Sequence, residues 1–180
     1  MRSIITGVIA TLIVASASDS RAQDITIPVN VERLAAKAVE TVNVTVDGAL
    51  LQLASKFLSS NDPEEKVAKN LIANLKGIYV RSFEFAEPDQ YTEADVESLR
   101  SQLKAPTWSK MVSVTSKKDG ENVEVFFKMV KEQIAGLVVI AAEPKELTFV
   151  NIVGPIDLAT LSSLGGQFGI PKLDLEEQKK

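Results

Sequence analysis

The sequence of 180 residues contains neither cysteine nor histidine. Without cysteine the chain forms no disulfide, has no thiol nucleophile and cannot carry a lipid on cysteine. Without histidine it also lacks the Ser-His-Asp and Cys-His arrangements of nucleophilic enzymes and the usual ligands of zinc and copper. Carboxylates, lysine, tyrosine, serine and threonine remain for acid–base chemistry. We therefore expect no metal, no cofactor and no catalytic residue of the common kinds.

The sequence contains slightly fewer basic residues than acidic ones. Twenty lysines and arginines stand against 24 aspartates and glutamates, which gives a formal net charge of −4. Removal of residues 1–22, which include Arg2, Asp19 and Arg21, takes away a net charge of +1 and leaves −5. Nucleic acid is not an expected partner, because phosphate contacts need clustered basic side chains.

The chain has no apolar run of membrane-spanning length. The N-terminal run, Ile4–Val14, falls short of the roughly 20 residues that a bilayer requires. Arg2 precedes it, and the small-x-small sequence Ser20-Arg21-Ala22 follows, which is typical of a cleaved signal peptide. Ala15-Ser16-Ala17 offers a second cleavage site. An uncleaved membrane anchor is the alternative, and the short run argues against it.

We expect residues 1–22 to be removed on export, residues 23–171 to form one domain and residues 172–180 to be a polar tail. The mature chain would be soluble, in the periplasm or outside the cell. It would keep no integral membrane segment, and without cysteine it would not be a lipoprotein.

Two apolar segments near the C-terminus predict the centre of the fold. Leu137–Ala142 and Leu147–Val153 read as strands, and Pro144 lies in the turn between them. Leu137–Ala142 is apolar at almost every position, so neither of its faces should contact water. We expect helices on both faces of the sheet, or a partner that covers one of them.

Periodicity predicts the other elements. Further strands are predicted at 41–46, 78–85, 111–115 and 123–127. Helices are predicted at 31–40 with Asn30 as its cap, at 49–58, from Asp62 to a stop at Gly77, from Thr92 to before Pro106, and from Asp157 to Ser163. Residues 129–133 are predicted to be a loop. The fold class is therefore α+β, with an antiparallel sheet of about five to six strands, a C-terminal meander and three to five helices.

Three segments carry a resemblance to a known family. They are LKGIYVRSFEF (Leu75–Phe85), EPKELTFVNIVGPIDLATLSSL (Glu143–Leu164) and GGQFGIP (Gly165–Pro171). In order and spacing the chain resembles the bacterial domain of unknown function 4252 family, from about Val31 to Pro171. The resemblance implies an exported bacterial α+β protein without an established activity. Many relatives look like lipoproteins, whereas the absence of cysteine implies a soluble form here.

Arg81 is the first candidate for a ligand or partner contact. It lies in mid-strand on the same face as Tyr79, Phe83 and Phe85. A buried guanidinium needs a partner, and we expect Glu143 or Glu146 on a neighbouring strand to supply a carboxylate. The alternative is a site that recognises an anionic ligand, with the aromatic rings as its walls.

The remaining candidates are Trp108, Glu143 and Glu146. Trp108 follows Pro106 at the entry to a strand, where we expect it to be a buried packing residue rather than a ligand-stacking one. Glu143 and Glu146 fit a solvated turn, and the alternative is a pair of catalytic carboxylates.

These observations favour a non-enzymatic binding or structural module of the cell envelope. Its partner would be an envelope protein or a second copy of the chain. One alternative is a hydrolase that works with two carboxyl groups roughly 5 to 10 Å apart. Another is a carrier of a small apolar ligand, which would need a large internal pocket.

Overall fold

The computed structural model describes residues 25–58 and 61–157. This part of the chain contains a 3-10 helix at Arg33–Ala36, four α-helices and six strands. The helices are α1 (Val29–Glu32), α2 (Gly48–Phe57), α3 (Pro63–Asn74) and α4 (Glu93–Arg100). The strands are β1 (Glu40–Asp47), β2 (Gly77–Glu84), β3 (Trp108–Ser116), β4 (Glu121–Val130), β5 (Gln133–Glu143) and β6 (Glu146–Ile156). All six predicted strands form.

The strands make one antiparallel sheet in the order β1-β2-β6-β5-β4-β3. The last four strands follow one another as a meander, because each connection is a short turn. β2 pairs with the far side of β6, and β1 pairs with β2 at the edge. The α+β class and the C-terminal meander are therefore confirmed.

Helices cover both faces of the sheet, but not to the same extent. On one face, here called the α4 face, buried side chains such as Phe83, Val138 and Phe149 pack against α1 and α4. On the other, called the α2 face, Phe127 and Leu137 pack against Leu51 of α2 and the end of α3. On the α4 face of Leu137–Ala142, Val138 and Ile140 are buried, whereas on the α2 face only Leu137 is buried and Val139 and Ala141 are partly exposed. Helices of the same chain therefore lie on both faces, but on the α2 face they do not cover the whole segment.

Side-chain caps explain where three helices begin. The Asp47 carboxylate accepts the Leu50 N–H at 2.9 Å, and Asp62 accepts the Glu65 N–H at 3.1 Å. At α4 the Asp95 carboxylate accepts the Thr92 backbone N–H at 2.9 Å, as the capping-box pattern predicts.

The first predicted helix is shorter than expected and begins earlier. Asn30 lies inside α1 and caps nothing; its side-chain amide donates to Asp95 at 2.9 Å and to Ser98 at 3.0 Å. The amide thus joins α1 to α4, a tertiary role that a local pattern does not reveal. The regular helix ends at Glu32, and a 3-10 turn carries the chain to Ala36.

Two other local predictions are wrong. Gly77 does not end α3, which stops at Asn74; it opens β2, where a Cβ would lie 2.8 Å from the Tyr79 ring. The predicted loop at 129–133 is a hairpin tip, because β4 runs to Val130 and β5 begins at Gln133. The predicted helix from Asp157 to Ser163 lies outside the described residues beyond its first position.

Candidate functional site

Arg81 lies on the α4 face, half-exposed near the edge of the sheet. Its Nε is 3.5 Å from Glu32 Oε1, and its Nη1 donates to Asn43 Oδ1. The predicted pairing with Glu143 or Glu146 is wrong. In the sheet register Arg81 stands opposite Phe149, so the even-numbered residues of β6, Glu146 among them, project from the other face.

The aromatic neighbours of Arg81 belong mostly to the core. Phe83 and Phe85 are buried, whereas Tyr79 is half-buried beside Arg81. The concavity here is lined by Ile27, Thr45, Tyr79, Arg81 and Phe149, and its empty volume, open solvent included, is about 220 Å³. The space that it leaves for water-sized molecules is only about 20 Å³, too small for an organic ligand.

Trp108 is buried among the residues of the α4 face, as expected of a packing residue. Its ring also lies 3.6 Å from the position that a Cβ on Gly136 would take. A wider hollow of about 620 Å³ lies at one end of the sheet, beside Lys76, Lys131 and Pro155. It opens to solvent and is partly lined by lysine, unlike the internal pocket of an apolar-ligand carrier.

Glu143 and Glu146 form part of a row of acidic side chains on the α2 face. Strand register places five glutamates side by side across five adjacent strands: Glu40, Glu84, Glu146, Glu143 and Glu121. We call this the glutamate row. Within residues 25–58 and 61–157, none of the five forms a salt bridge with lysine or arginine. Like charges directly opposite one another weaken strand pairing.

The two central carboxyl groups of the glutamate row differ in environment. Burial raises the pKa of Glu143 above its ordinary value, and the nearby carboxylates of Glu146 and Glu121 add to the rise. Hydrogen bonds from the Thr148 and Ser82 hydroxyls, both at 2.7 Å, hold the pKa of Glu146 below its ordinary value. The row holds no described group of three acidic side chains placed to bind a metal ion.

Next to the glutamate row, two rows of small and β-branched residues cross the α2 face. The nearer row contains Val42, Ser82, Thr148, Ala141, Val123 and Val114. The next row, here called the valine row, contains Val44, Val80, Val150, Val139, Val125 and Val112. None of the six valines is buried, and among the described residues of the row only Val139 and Val125 pack against the cluster beneath α2 and α3. We call the two rows together the open half.

The chain matches one family model, described as a domain of unknown function (DUF4252), over residues 36–164. The match spans more than two thirds of the sequence. The chain belongs to this family. The DUF4252 match begins after α1, so Glu32, the partner of Arg81, precedes it, and it includes all six strands. Neither a curated protein nor a solved structure matches the chain.

Apart from the glutamate row, a cluster of ion pairs lies on the α4 face, and the sequence did not reveal it. The buried Glu124 carboxylate accepts the Arg100 Nε–H at 2.7 Å and a hydrogen bond from Lys110. Arg100 also reaches Glu93 at 2.8 Å and Glu97 at 2.7 Å. The cluster ties α4 to β4 with every charge paired, so its geometry is that of a structural contact.

None of the helices in residues 25–58 and 61–157 is long and apolar enough to cross a membrane.

Proposed function

We propose that this DUF4252 protein is an exported, non-enzymatic binding or structural module of the cell envelope, and that it contacts a protein partner through the open half of the α2 face. The observation that supports this proposal is the valine row, which crosses all six strands and whose side chains all remain at least partly exposed. The α4 face, in contrast, has fully buried residues such as Val138 and Ile140 beneath its helices.

The extent of the open half fits a contact surface. Five steps of about 4.8 Å between strands make it about 24 Å wide, and two rows about 7 Å apart make it about 14 Å deep. The resulting area, roughly 300 Å², is that of the apolar patches that often carry function on soluble proteins.

The border of the open half specifies the chemistry of the partner. The glutamate row lies along one side of it, and no lysine or arginine in residues 25–58 and 61–157 pairs with its carboxylates. A partner that buries the valines should therefore bring apolar side chains together with lysine or arginine, since opposite charges steer association and fix its orientation.

Site-specific photo-crosslinking in the native host tests this proposal. Val44 in the valine row is 37% exposed, and Val29 on α1 is an exposed valine outside it. A photoreactive residue at position 44 should give a covalent adduct whose partner peptide is apolar and basic, whereas the same residue at position 29 should give none. The proposal fails if position 44 yields no adduct or if both positions yield the same adducts.

One observation favours a second candidate, a carboxylate-based hydrolase. The pKa of Glu143 is raised and that of its cross-strand neighbour Glu146 is lowered, as in enzymes that need one acid and one base. The two groups lie on an open sheet face, however, and the hydroxyls of Ser82 and Thr148 already account for Glu146. Release of reducing sugar from cell-wall glycans by the wild type, and its loss in Glu143→Gln, would establish this activity.

A further inference from the structure

Helix α2 carries a second apolar surface that no described helix or strand covers. Leu51 and Ser55 face the sheet and are buried. Leu50, Leu53 and Phe57, spaced i, i+3, i+7, form a stripe on another side of the helix, and Phe57 is 83% exposed. We call these three residues the α2 stripe. A helix that is apolar on two sides is typical of a helix packed between two layers.

The α2 stripe and the open half occupy complementary positions. α2 starts where β1 ends, at Asp47, and it covers the half of the α2 face that contains Ile78, Leu137 and Phe127. The open half is the other half of the same face. On the α2 face, each molecule therefore has one half that the helices cover and one half, the open half, that they leave uncovered. The outer surface of the covering helices carries the α2 stripe.

We infer that the partner of the open half is a second copy of this chain, whose α2 stripe packs on the valine row. This inference rests on the proposed function and names its partner. A two-fold axis between the two α2 faces, perpendicular to the strands, places the helices of each copy over the bare half of the other. The same contact then occurs twice, as a closed symmetric dimer requires.

The positions of the charged side chains favour this arrangement over one in which the open halves of two copies pack directly against each other. The two-fold axis places the glutamate rows of the two copies at opposite ends of the interface, so that they do not face each other. Lys56, which directly precedes Phe57 in the last turn of α2, is exposed and lies next to the stripe. In the dimer it approaches the border that carries the partner's acidic row.

The area is sufficient for a reversible dimer. The α2–α3 pair is two helices wide, about 20 Å, and about 16 Å long, so each contact covers roughly 300 Å². Two such contacts bury roughly 600 Å² on each copy, somewhat below the 800 Å² per partner of a standard interface. We therefore expect dissociation in the micromolar range.

The C-terminal segment of the same chain is a less suitable occupant. β6 runs from the glutamate row towards the helices, so the chain passes Ile156 while moving away from the valine row. Val150, the β6 residue of the valine row, lies six residues before Ile156, a distance of about 20 Å along the strand. α3 packs against β6 along this path, so the segment would have to pass around that helix to reach the valine row.

Sedimentation of the mature full-length chain between about 1 and 200 μM tests the dimer. Wild type should shift reversibly from monomer to dimer. Phe57→Asp and Val44→Asp should each weaken association at least tenfold, because each buries a carboxylate in one of the two surfaces. Val29→Asp is the matched control and should dimerise like wild type. Both test positions are exposed in the monomer, so circular dichroism should show folded variants.

The other results are equally informative. Loss of the dimer in only one of the two Asp variants would overturn the reciprocal contact. A monomer at every concentration, with a different protein crosslinked from position 44, would overturn the second copy and leave the proposed function standing. A monomer without any adduct from position 44 would overturn both. An intramolecular crosslink from position 44 to residues 158–180 would assign the open half to the chain's own segment and overturn the dimer.

Discussion

At the scale of single residues, the environment of Arg81 shows how strand parity decides a contact. Arg81 and Phe149 face each other in the register, and both project from the α4 face. The neighbouring carboxylates at the ends of β5 and β6 project from the other face. Glu32, on a helix that is far away in sequence, provides the counter-charge instead.

This geometry sets a modest expectation for Arg81→Ala. The side chains of Arg81 and Glu32 are 23% and 48% exposed, so water screens the pair and stabilises each charge when the other is removed. We expect a loss of about 1 kcal/mol in the free energy of unfolding, measured by urea denaturation with an unchanged slope. A loss above about 3 kcal/mol would show that Arg81 compensates a fully buried carboxylate that these contacts do not include.

A related single-residue prediction concerns Glu143. Its raised pKa means that the folded state disfavours the ionised form, so the penalty is full above the folded pKa and vanishes below the ordinary value. Glu143→Gln should therefore raise stability at pH 7 by about 0.5 kcal/mol and leave it unchanged near pH 3. Thermal melts at the two pH values measure this difference. Glu87→Gln, at an exposed glutamate outside the row, is the control, and an equal gain there would reject the effect of the row.

At the scale of elements, a buried carboxylate on β4 contributes to the docking of α4. Helical spacing places Val96 and Leu99 on its inner side, and both are buried. The Glu124 contact was not predicted, since β4 reads locally as an ordinary alternating strand. Burial alone would raise the pKa of Glu124, but hydrogen bonds from Lys110 and Arg100 hold it below its ordinary value.

Arg100→Ala should therefore destabilise the protein in a pH-dependent way. Removal of one of the two cations beside Glu124 should decrease the free energy of unfolding by about 2 to 3 kcal/mol at pH 7. Because the folded pKa of Glu124 is lowered, the contribution of the pair is full above the ordinary value of 4.5 and declines as the pH falls further. The gap between variant and wild type should narrow in urea titrations below that pH. Glu97→Ala, at an exposed partner of Arg100, should change stability by less than about 0.5 kcal/mol, and a constant gap at all pH values would contradict the role of Glu124.

At the scale of the whole molecule, the proposal of export has its own test. Cleavage after Ala22 should give a protein in the envelope fraction of the native host whose first residue is Gln23. Intact-mass measurement distinguishes this product from one cleaved after Ala17. Retention of residues 1–22 would contradict export as a cleaved soluble protein.

The sequence by itself determined the elements of this protein and the class of its fold. Period-two alternation specified four strands, and two apolar segments specified the strands at 137–142 and 147–153. Asp62 and Thr92 specified helix starts, and the absence of cysteine and histidine excluded whole classes of chemistry. These signals are local, because caps, turns and alternation act over a few residues. The doubly apolar Leu137–Ala142 also predicted cover on both faces, and helices of the same chain provide only part of it, since Val139 and Ala141 remain partly exposed.

Only the tertiary structure decided which side chains share a surface. A shift of one residue in register exchanges the two faces of a strand, and no local pattern fixes the register of strands as distant as β1, β2 and β6. The register separated Arg81 from Glu143 and Glu146, aligned five glutamates, and placed one valine from every strand in a single row. The packing of α2 and α3 over half of one face then left that row open, because a helix pair about 20 Å wide cannot cover the full length of β5 and β6, whose 11 residues span about 36 Å.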